Sequence, residues 1–321
     1  MTDRITSAFG AFTPAREVAA GHDLSGKTVI ITGAATGIGV ETARALAEQG
    51  AQVVLAVRNH VAGNAAVDDI NQTAKGPKAR VQHLDLSSLA SVKGFVDEWG
   101  GQPVDILINN AGVMACPHSY TADNLEMQIG SNHFGHAALT LGLAPALEAA
   151  AKSGRGARVV QLSSTGHRRS DVIWDDPHYR ARGYDKWEAY GQSKTANALF
   201  AAGFNARFKD RGVTANAVMP GGIMTPLQRH MPREEMIAMG WIDEAGNVAQ
   251  GFKSTEQGAS TSVWAAVGSE LDGVGGLYLE DCAQALPASP QNRYGGVEAW
   301  ALDPQRADWL WTITRETIGL G

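Results

Sequence analysis

Cysteine is nearly absent: the chain of 321 residues has two, Cys116 and Cys282. Thiols that far apart give no disulfide framework and no metal-ligand spacing, so no metal is expected. Long apolar runs are missing. None approaches the roughly 18–20 residues of a membrane span. A basic-then-apolar leader is missing too. The expectation is a cytoplasmic protein without a membrane span. Positive charge is in deficit, with a formal net charge of −6. That argues against nucleic acid or an anionic membrane as the general partner. Internal repeats and low-complexity tracts are also lacking.

Glycine is what the chain has in quantity, 37 residues beside a 44% hydrophobic content. This suits an α/β protein with many tight turns. Residues 1–24 read as a polar N-terminal arm, with a helical turn or two over 15–20. The β-branched run 27–32 reads as a buried strand. Gly33, Thr36, Gly37, Ile38 and Gly39 follow at once, then a helix over 40–49 and a strand over 53–57. A glycine turn feeding a helix N-terminus admits a phosphate. The backbone can approach closely, and free N–H groups favour an anion. The bland alternative is a tight turn with no ligand.

The end of the second strand carries no acid; Arg58 stands there instead. Arginine matches a 2′-phosphate that an acid would repel, so NADP(H) is preferred over NAD(H). The alternative is an exposed strand-end arginine. Further strands are expected at 79–84, 104–108, 158–162, 213–218 and 275–279. Asp85, with Leu86 beside it, follows the third strand and could face an adenine edge. Ser87 or Ser88 could equally cap a helix over 89–99. Asn110, Ala111 and Gly112 end the fourth strand, where small residues let backbone lie against a flat ring. A long helix is expected from about 122 to 151, kinked at Pro145. Asn132 inside it is more often a satisfied structural amide than a reacting group.

Tyr190 and Lys194 open a later helix, four residues apart and so on one face. An ammonium beside a phenol pulls its pKa from about 10 toward neutrality, and such a tyrosine gives and takes protons near working pH. Ser164, ending the preceding strand, reaches for the same substrate oxygen. Alone, a Tyr-x-x-x-Lys pair is common on solvated helix faces. Residues 165–189 are too polar for core and form an insert over the site. Arg168 and Arg169 there are either solvated or a patch for an anionic substrate. After the sixth strand, Pro220 and Gly221 break the chain, and 222–254 read as a mobile substrate flap. Its Met231, Met236 and Met239 suit an adaptable apolar wall. Trp174, Trp187, Trp241 and Met224 point to a bulky, apolar substrate. An amphipathic helix over 303–318 ends the chain.

These residues together resemble the short-chain dehydrogenase/reductases. Thr32-Gly33, Gly37-Ile38-Gly39, Asn109 to Gly112, Asn132, Ser164, Tyr190 with Lys194, and Pro220-Gly221 come in that family's order and at about its spacing. The resemblance runs from about residue 14 to the C-terminus. Within the family the chain looks most like the retinol-dehydrogenase-like branch, including the catalytic domain of the WW-domain-containing oxidoreductase. Glu17-Val18, Asp23-Leu24, Gly26-Lys27, Val57-Arg58-Asn59 and Asn132 to His136 carry that detail, with the long Ser164-to-Tyr190 spacing.

The resemblance implies roles. Tyr190 would be the general acid in reduction and the base in oxidation. Lys194 would lower its pKa and hold the nicotinamide ribose. Ser164 would orient the substrate oxygen, and Asn132 would support a proton relay through water and Lys194. Gly33, Thr36, Ile38, Arg58, Asp85, Asn110, Ala111, Gly112, Ile223 and Thr225 would line the cofactor, and a hydride would pass between nicotinamide and the carbonyl carbon. The implied fold is a single-domain doubly wound (Rossmann) parallel α/β sheet of about seven strands with helices on both faces, over 25–321. The implied function is NADP(H)-preferring interconversion of a carbonyl and an alcohol. The alternatives are a C=C or imine reductase on the same fold, and a cofactor-sensing binding or scaffold protein with a vestigial site. Family members often pair into homodimers or homotetramers through helices near 122–151 and 189–209.

Overall fold

The structure, a computed structural model, describes residues 4–320. Eight strands form one sheet: β1 (Thr28–Thr32), β2 (Gln52–Val57), β3 (Arg80–His83), β4 (Ile106–Asn109), β5 (Ala157–Leu162), β6 (Val213–Met219), β7 (Tyr278–Glu280) and β8 (Ala283–Gln284). Their order is β3-β2-β1-β4-β5-β6-β7-β8. The first seven are parallel, and β8 turns back antiparallel. About seven strands were expected. The eighth is two residues long, too short to show a hydrophobic period. Its turn places Asp281 and Cys282 at φ +50° and +56°, which no glycine announces.

The central strands are buried at nearly every position because both faces are covered. Alternate residues serve opposite cores. Ile30, Val54 and Leu107 pack with the helices Leu89–Trp99, Lys186–Phe208 and Pro304–Thr317. Val29, Ile31, Val53 and Leu55 pack with Ile38–Ala47 and Thr255–Val267. The N-terminal helix Ala15–Ala19 joins this second layer through Ala15, Val18 and Ala19, all buried. Among the described residues, no helix is long and apolar enough to cross a membrane.

The expected helix over 122–151 is the main departure. It begins at Met127, passes through a wide π-helical stretch at Gly130–Gly135, and restarts after Leu143. Pro145 sits in the first turn of the Ala144–Ala150 segment, where a missing N–H costs nothing. The helix bearing Tyr190 starts at Lys186, capped by Asp185, rather than at Tyr190. The 165–189 insert is less solvated than its composition suggests. His167, Val172, Ile173 and Tyr179 are buried.

Candidate active site

Strand order reverses at β1, whose neighbours are β2 and β4. Such a switch point opens a crevice at the carboxyl ends of the strands. Thr32 ends β1, and Asn110 and Ser164 follow β4 and β5 at that edge.

Thr32 ties the edge together. Its Oγ1 accepts the N–H groups of Asn110 and Ala111, both at 2.9 Å, and meets His136 Nε2 at 2.8 Å. Asn110 Nδ2 donates to the Thr32 carbonyl at 2.8 Å. The 110–112 segment is thereby held against the glycine turn. Gly33 has φ +67°, and a β-carbon there would lie 2.8 Å from the Ala111 Cα. One on Gly39 would lie 2.6 Å from Asn110 Nδ2. Gly37, at φ +64°, precedes the helix Ile38–Ala47, and no side chain caps that helix. Thr36 is exposed at the turn. Thr225 faces Gly37, its methyl 3.3 Å from where a β-carbon would be. Ile223 pairs with Lys253, so the two ends of the 222–254 flap meet. Lys253 also donates to the Pro220 carbonyl at 3.1 Å and to Asp281 at 2.6 Å, which anchors the turn at Gly221.

The residues present fit a dinucleotide. The uncapped helix end offers N–H groups and a positive dipole to a phosphate. The glycine contacts leave no room for side chains that would fill the cradle. Asn110 Oδ1 is buried and has no hydrogen-bond partner among the described residues. Arg58 is exposed two residues beyond Ala56, the register partner of Thr32, and has no hydrogen-bond or ion-pair partner among the described residues. Asp85 Oδ1 accepts from the backbone and hydroxyl of Ser87, while Ser88 caps the helix Leu89–Trp99. The Leu86 carbonyl lies over Gly135, where a β-carbon would come within 2.3 Å of it.

Ser164, Tyr190 and Lys194 converge as expected. Tyr190 and Lys194 are each only 4% exposed. The Lys194 ammonium lies 5.6 Å from the Tyr190 ring centroid and donates to the Leu162 carbonyl at 3.1 Å. The Ser164 hydroxyl and the Tyr190 ring both face Gly166, 3.4 Å and 2.7 Å from where a β-carbon on that glycine would be. Gly166 N–H donates to Ser164 Oγ at 3.0 Å. The expected lowering of the Tyr190 pKa is reversed. Burial pushes it up to about 12, against the pull of the Ser164 hydroxyl. The Lys194 ammonium, 5.6 Å from the ring centroid, does not offset that rise. Burial also lowers Lys194, to about 8.

Asn132 lies in the π-helical stretch, fully buried. Its Nδ2 donates to the Val113 carbonyl and to Ser193 Oγ, both at 2.9 Å, and its Oδ1 accepts from Val113 N–H at 2.8 Å. The amide is thus structurally satisfied. It holds Gly112, whose added β-carbon would lie 3.3 Å from Asn132 Oδ1 and 3.7 Å from Lys194 Nζ.

An apolar wall stands beside Tyr190: Met114, Ala115 and Met231 with Met236 and Met239. Trp187 and Trp241 complete it, their rings 6.0 Å apart. Trp174 does not belong to it; that ring packs edge-on to Trp309 at 5.7 Å. Arg168 is neither solvated nor a free anion patch. It pairs with Glu298 at 3.2 Å and donates to the carbonyls of Ser289, Asn292 and Gly295. Arg169 stacks over Trp187 at 5.0 Å.

Four contributors were given no role in the sequence reading. Gly166 acts through its backbone N–H and Thr32 through its hydroxyl. His167 and Tyr278 support Ser164 from behind. His167 Nε2 accepts from Glu298 N–H at 3.1 Å, so its proton sits on Nδ1, which donates to the Ser164 carbonyl at 2.7 Å. Tyr278 donates to the same carbonyl at 3.0 Å. Burial keeps His167 neutral, its pKa lowered to about 4. A hydroxyl ending an apolar strand was the available signal for Thr32; the others had none.

The sequence profile of the short chain dehydrogenases matches residues 27–236. A Streptomyces lividans protein classed as an oxidoreductase is 43% identical over 93% of this chain and 100% of its own length. Retinol dehydrogenase 12 of Mus musculus is 37% identical over 92% of this chain and 88% of its own. A crystal structure of an uncharacterized protein from Mycobacterium paratuberculosis covers 94% of this chain and 97% of its own, with 32% identity and a TM-score of 0.72. The doubly wound sheet and these similarities lead to one conclusion: the chain is an oxidoreductase of the short-chain dehydrogenase/reductase family, whose members use NAD(P)(H), and it falls in the retinol-dehydrogenase-like branch.

Proposed function

We propose that the protein interconverts a carbonyl and an alcohol, preferring NADP(H), with Tyr190 as proton donor and acceptor. The observation that carries this is Ser164 and Tyr190 brought together against Gly166, with the Lys194 ammonium 5.6 Å from the phenol ring. The cofactor supplies the two-electron chemistry when bound. Gly33, Thr36, Gly37, Ile38, Gly39, Asn110, Ala111 and Gly112 would hold it on the crevice side, with Asp85 and Leu86 toward the adenine. Pro220, Gly221, Ile223 and Thr225 would hold it on the flap side. Arg58 would meet the 2′-phosphate.

The chain's own residues do the rest. With a pKa raised to about 12, Tyr190 is a phenol at neutral pH and has a proton to give. Gly166 N–H occupies a Ser164 lone pair, so the serine hydroxyl is free to donate to the substrate oxygen. As the phenol loses its proton, the nearby ammonium of Lys194 steadies the phenolate. Asn132 frames the relay by fixing the 112–113 backbone. The methionine and tryptophan wall suits a bulky, apolar carbonyl substrate. In this reading residues 25–321 are the catalytic domain, with the 165–189 insert and 222–254 flap forming its substrate side. Cys116 and Cys282 are unpaired and buried, in keeping with a reducing, cytoplasmic setting. Homodimers or homotetramers belong to the reading. They would have to accommodate the C-terminal helix, whose Trp311 stacks on Phe200 of the helix Lys186–Phe208.

The test is initial-rate consumption of NADPH and NADH against a panel of ketones, aldehydes, activated alkenes and imines, with Tyr190→Phe beside wild type. Carbonyl-dependent oxidation that is faster with NADPH and nearly lost in Tyr190→Phe is the expected result. Turnover confined to alkenes or imines, or activity that survives the substitution, sinks the reading.

A further inference from the structure

The catalytic helix and the flap meet at a carboxylate that the proposed chemistry leaves unused. Glu235 lies on the flap helix Arg233–Ala238. Its Oε2 accepts from Lys186 Nζ at 2.5 Å, and its Oε1 accepts from the Trp187 indole N–H at 2.8 Å. Both partners sit in the first turn of the helix Lys186–Phe208, immediately before Tyr190. The bond to Lys186, with help from Trp187 and the charge of Arg169, holds the Glu235 carboxyl below its usual range.

The consequence falls on the indole. Trp187 stands nearly perpendicular to Tyr190, at 84° with centroids 6.4 Å apart. It stands at 79° to Trp241. Arg169 lies over its ring. An exposed ion pair alone contributes little. Here the same carboxylate also fixes the N–H of a ring that packs beside Tyr190, and so sets the ring's direction. Met231, Met236 and Met239 flank Glu235 on the flap and join the same apolar cluster. One contact therefore fastens the flap and orients the wall it closes on.

We propose that Glu235 is a specificity-determining positioning residue. It holds Trp187 as a rigid wall between Tyr190 and Trp241 and latches the flap beside the reacting oxygen, so that the site discriminates apolar carbonyls by shape. The inference rests on Tyr190 being the proton donor. Without Glu235 the indole N–H loses its fixed acceptor, and the ring is held only by its packing against Tyr190, Trp241 and Arg169. The wall then adapts to each substrate, and discrimination falls while the proton chemistry stays.

The test is a series of ketones of rising bulk, from 2-butanone to acetophenone to a 4-tert-butyl acetophenone. It is run on wild type, Glu235→Gln, Glu235→Ala and Trp187→Phe. Glu235→Ala should compress the spread of kcat/KM across the series by about tenfold, the effect of one pocket contact. The change should come through KM, with kcat on the best substrate held within about threefold and the pH profile unmoved. Trp187→Phe keeps a ring and loses the N–H, and should reproduce the compression. Combining it with Glu235→Ala should add nothing. Glu235→Gln keeps an acceptor for the indole and should lie between. An unchanged spread, or a fall in kcat shared equally by all ketones, overturns the proposal.

A second readout needs no turnover. Nile red fluorescence with the full chain, and the rate of proteolytic cutting within 226–254, report the wall and the latch directly. Glu235→Ala should shift the dye emission to the red and speed the cutting. If both are unchanged, the latch fails even in an inactive enzyme. If both change while wild type reduces no ketone, the latch stands and the carbonyl-reductase reading fails.

Discussion

Gly166 lies directly against the ring of Tyr190: a β-carbon on the glycine would sit 2.7 Å from Tyr190 Cε1 and 3.4 Å from Ser164 Oγ. Its φ is not in the left-handed region, so alanine there meets no backbone strain. The cost of Gly166→Ala falls on Tyr190, which must move. A displacement near 1 Å at a reacting group costs about a hundredfold in rate. The expected result is a fall of about that size in kcat, with a small change in urea unfolding. Full activity in this variant would separate Tyr190 from the chemistry.

Arg58 is exposed and unengaged at the edge where a cofactor ribose would lie. Arg58→Glu places a like charge against a 2′-phosphate. The ratio of kcat/KM for NADPH over NADH should fall by about a hundredfold, since a charged hydrogen bond is lost and a repulsion gained. A ratio that does not move would return Arg58 to a solvated strand end.

Lys194 makes stability depend on pH. Burial lowers its pKa from 10.5 to about 8. Between those values the unfolded chain binds more protons than the folded one, so stability rises with pH. The contribution is complete above 10.5 and is lost as pH falls through 8. In urea unfolding from pH 8 to 9.5, wild type should gain about 2 kcal/mol over Lys194→Met. Parallel curves would mean that Lys194 does not titrate in this window.

Phe204 is fully buried and stacks on Phe208 at 4.1 Å, under Trp311 of the C-terminal helix. Phe204→Ala should cost about 3–5 kcal/mol of unfolding free energy. The ring is remote from Tyr190 along the same helix, so kcat per folded molecule should stay near wild type. A kcat loss matching the stability loss would show that this face of the helix sets the position of Tyr190.

The order of elements was legible because it is written in local chemistry. An apolar β-branched run such as 27–32 has few alternatives to a buried strand. Gly37 before an apolar helix carries its turn in its own backbone freedom. Tyr190 and Lys194 share a face by helical spacing alone. What failed depended on partners far along the chain. The helix over 122–151 has no local signal for its π-helical stretch, which forms where Asn132 reaches Val113 and Ser193. Arg168 looked solvated because its acceptors lie more than 120 residues away, on 289–298. Trp174 and Trp187 were indistinguishable by type, and only folding sent one to Trp309 and the other to Trp241.

The sequence by itself determined the alternation of strands and helices, the glycine turn, and the identities of the serine, tyrosine and lysine at the crevice. The first two follow from torsional freedom and hydrophobicity, and the third from helical spacing together with the resemblance to the family. The tertiary structure decided the electrostatics and the shape of the site. Burial raised Tyr190 where local charge alone would have lowered it. Packing chose which tryptophan lies against Tyr190. Glu235 was joined to Trp187 across 48 residues. Desolvation and long-range contact are properties of the assembled interior, and no window of neighbouring residues contains them.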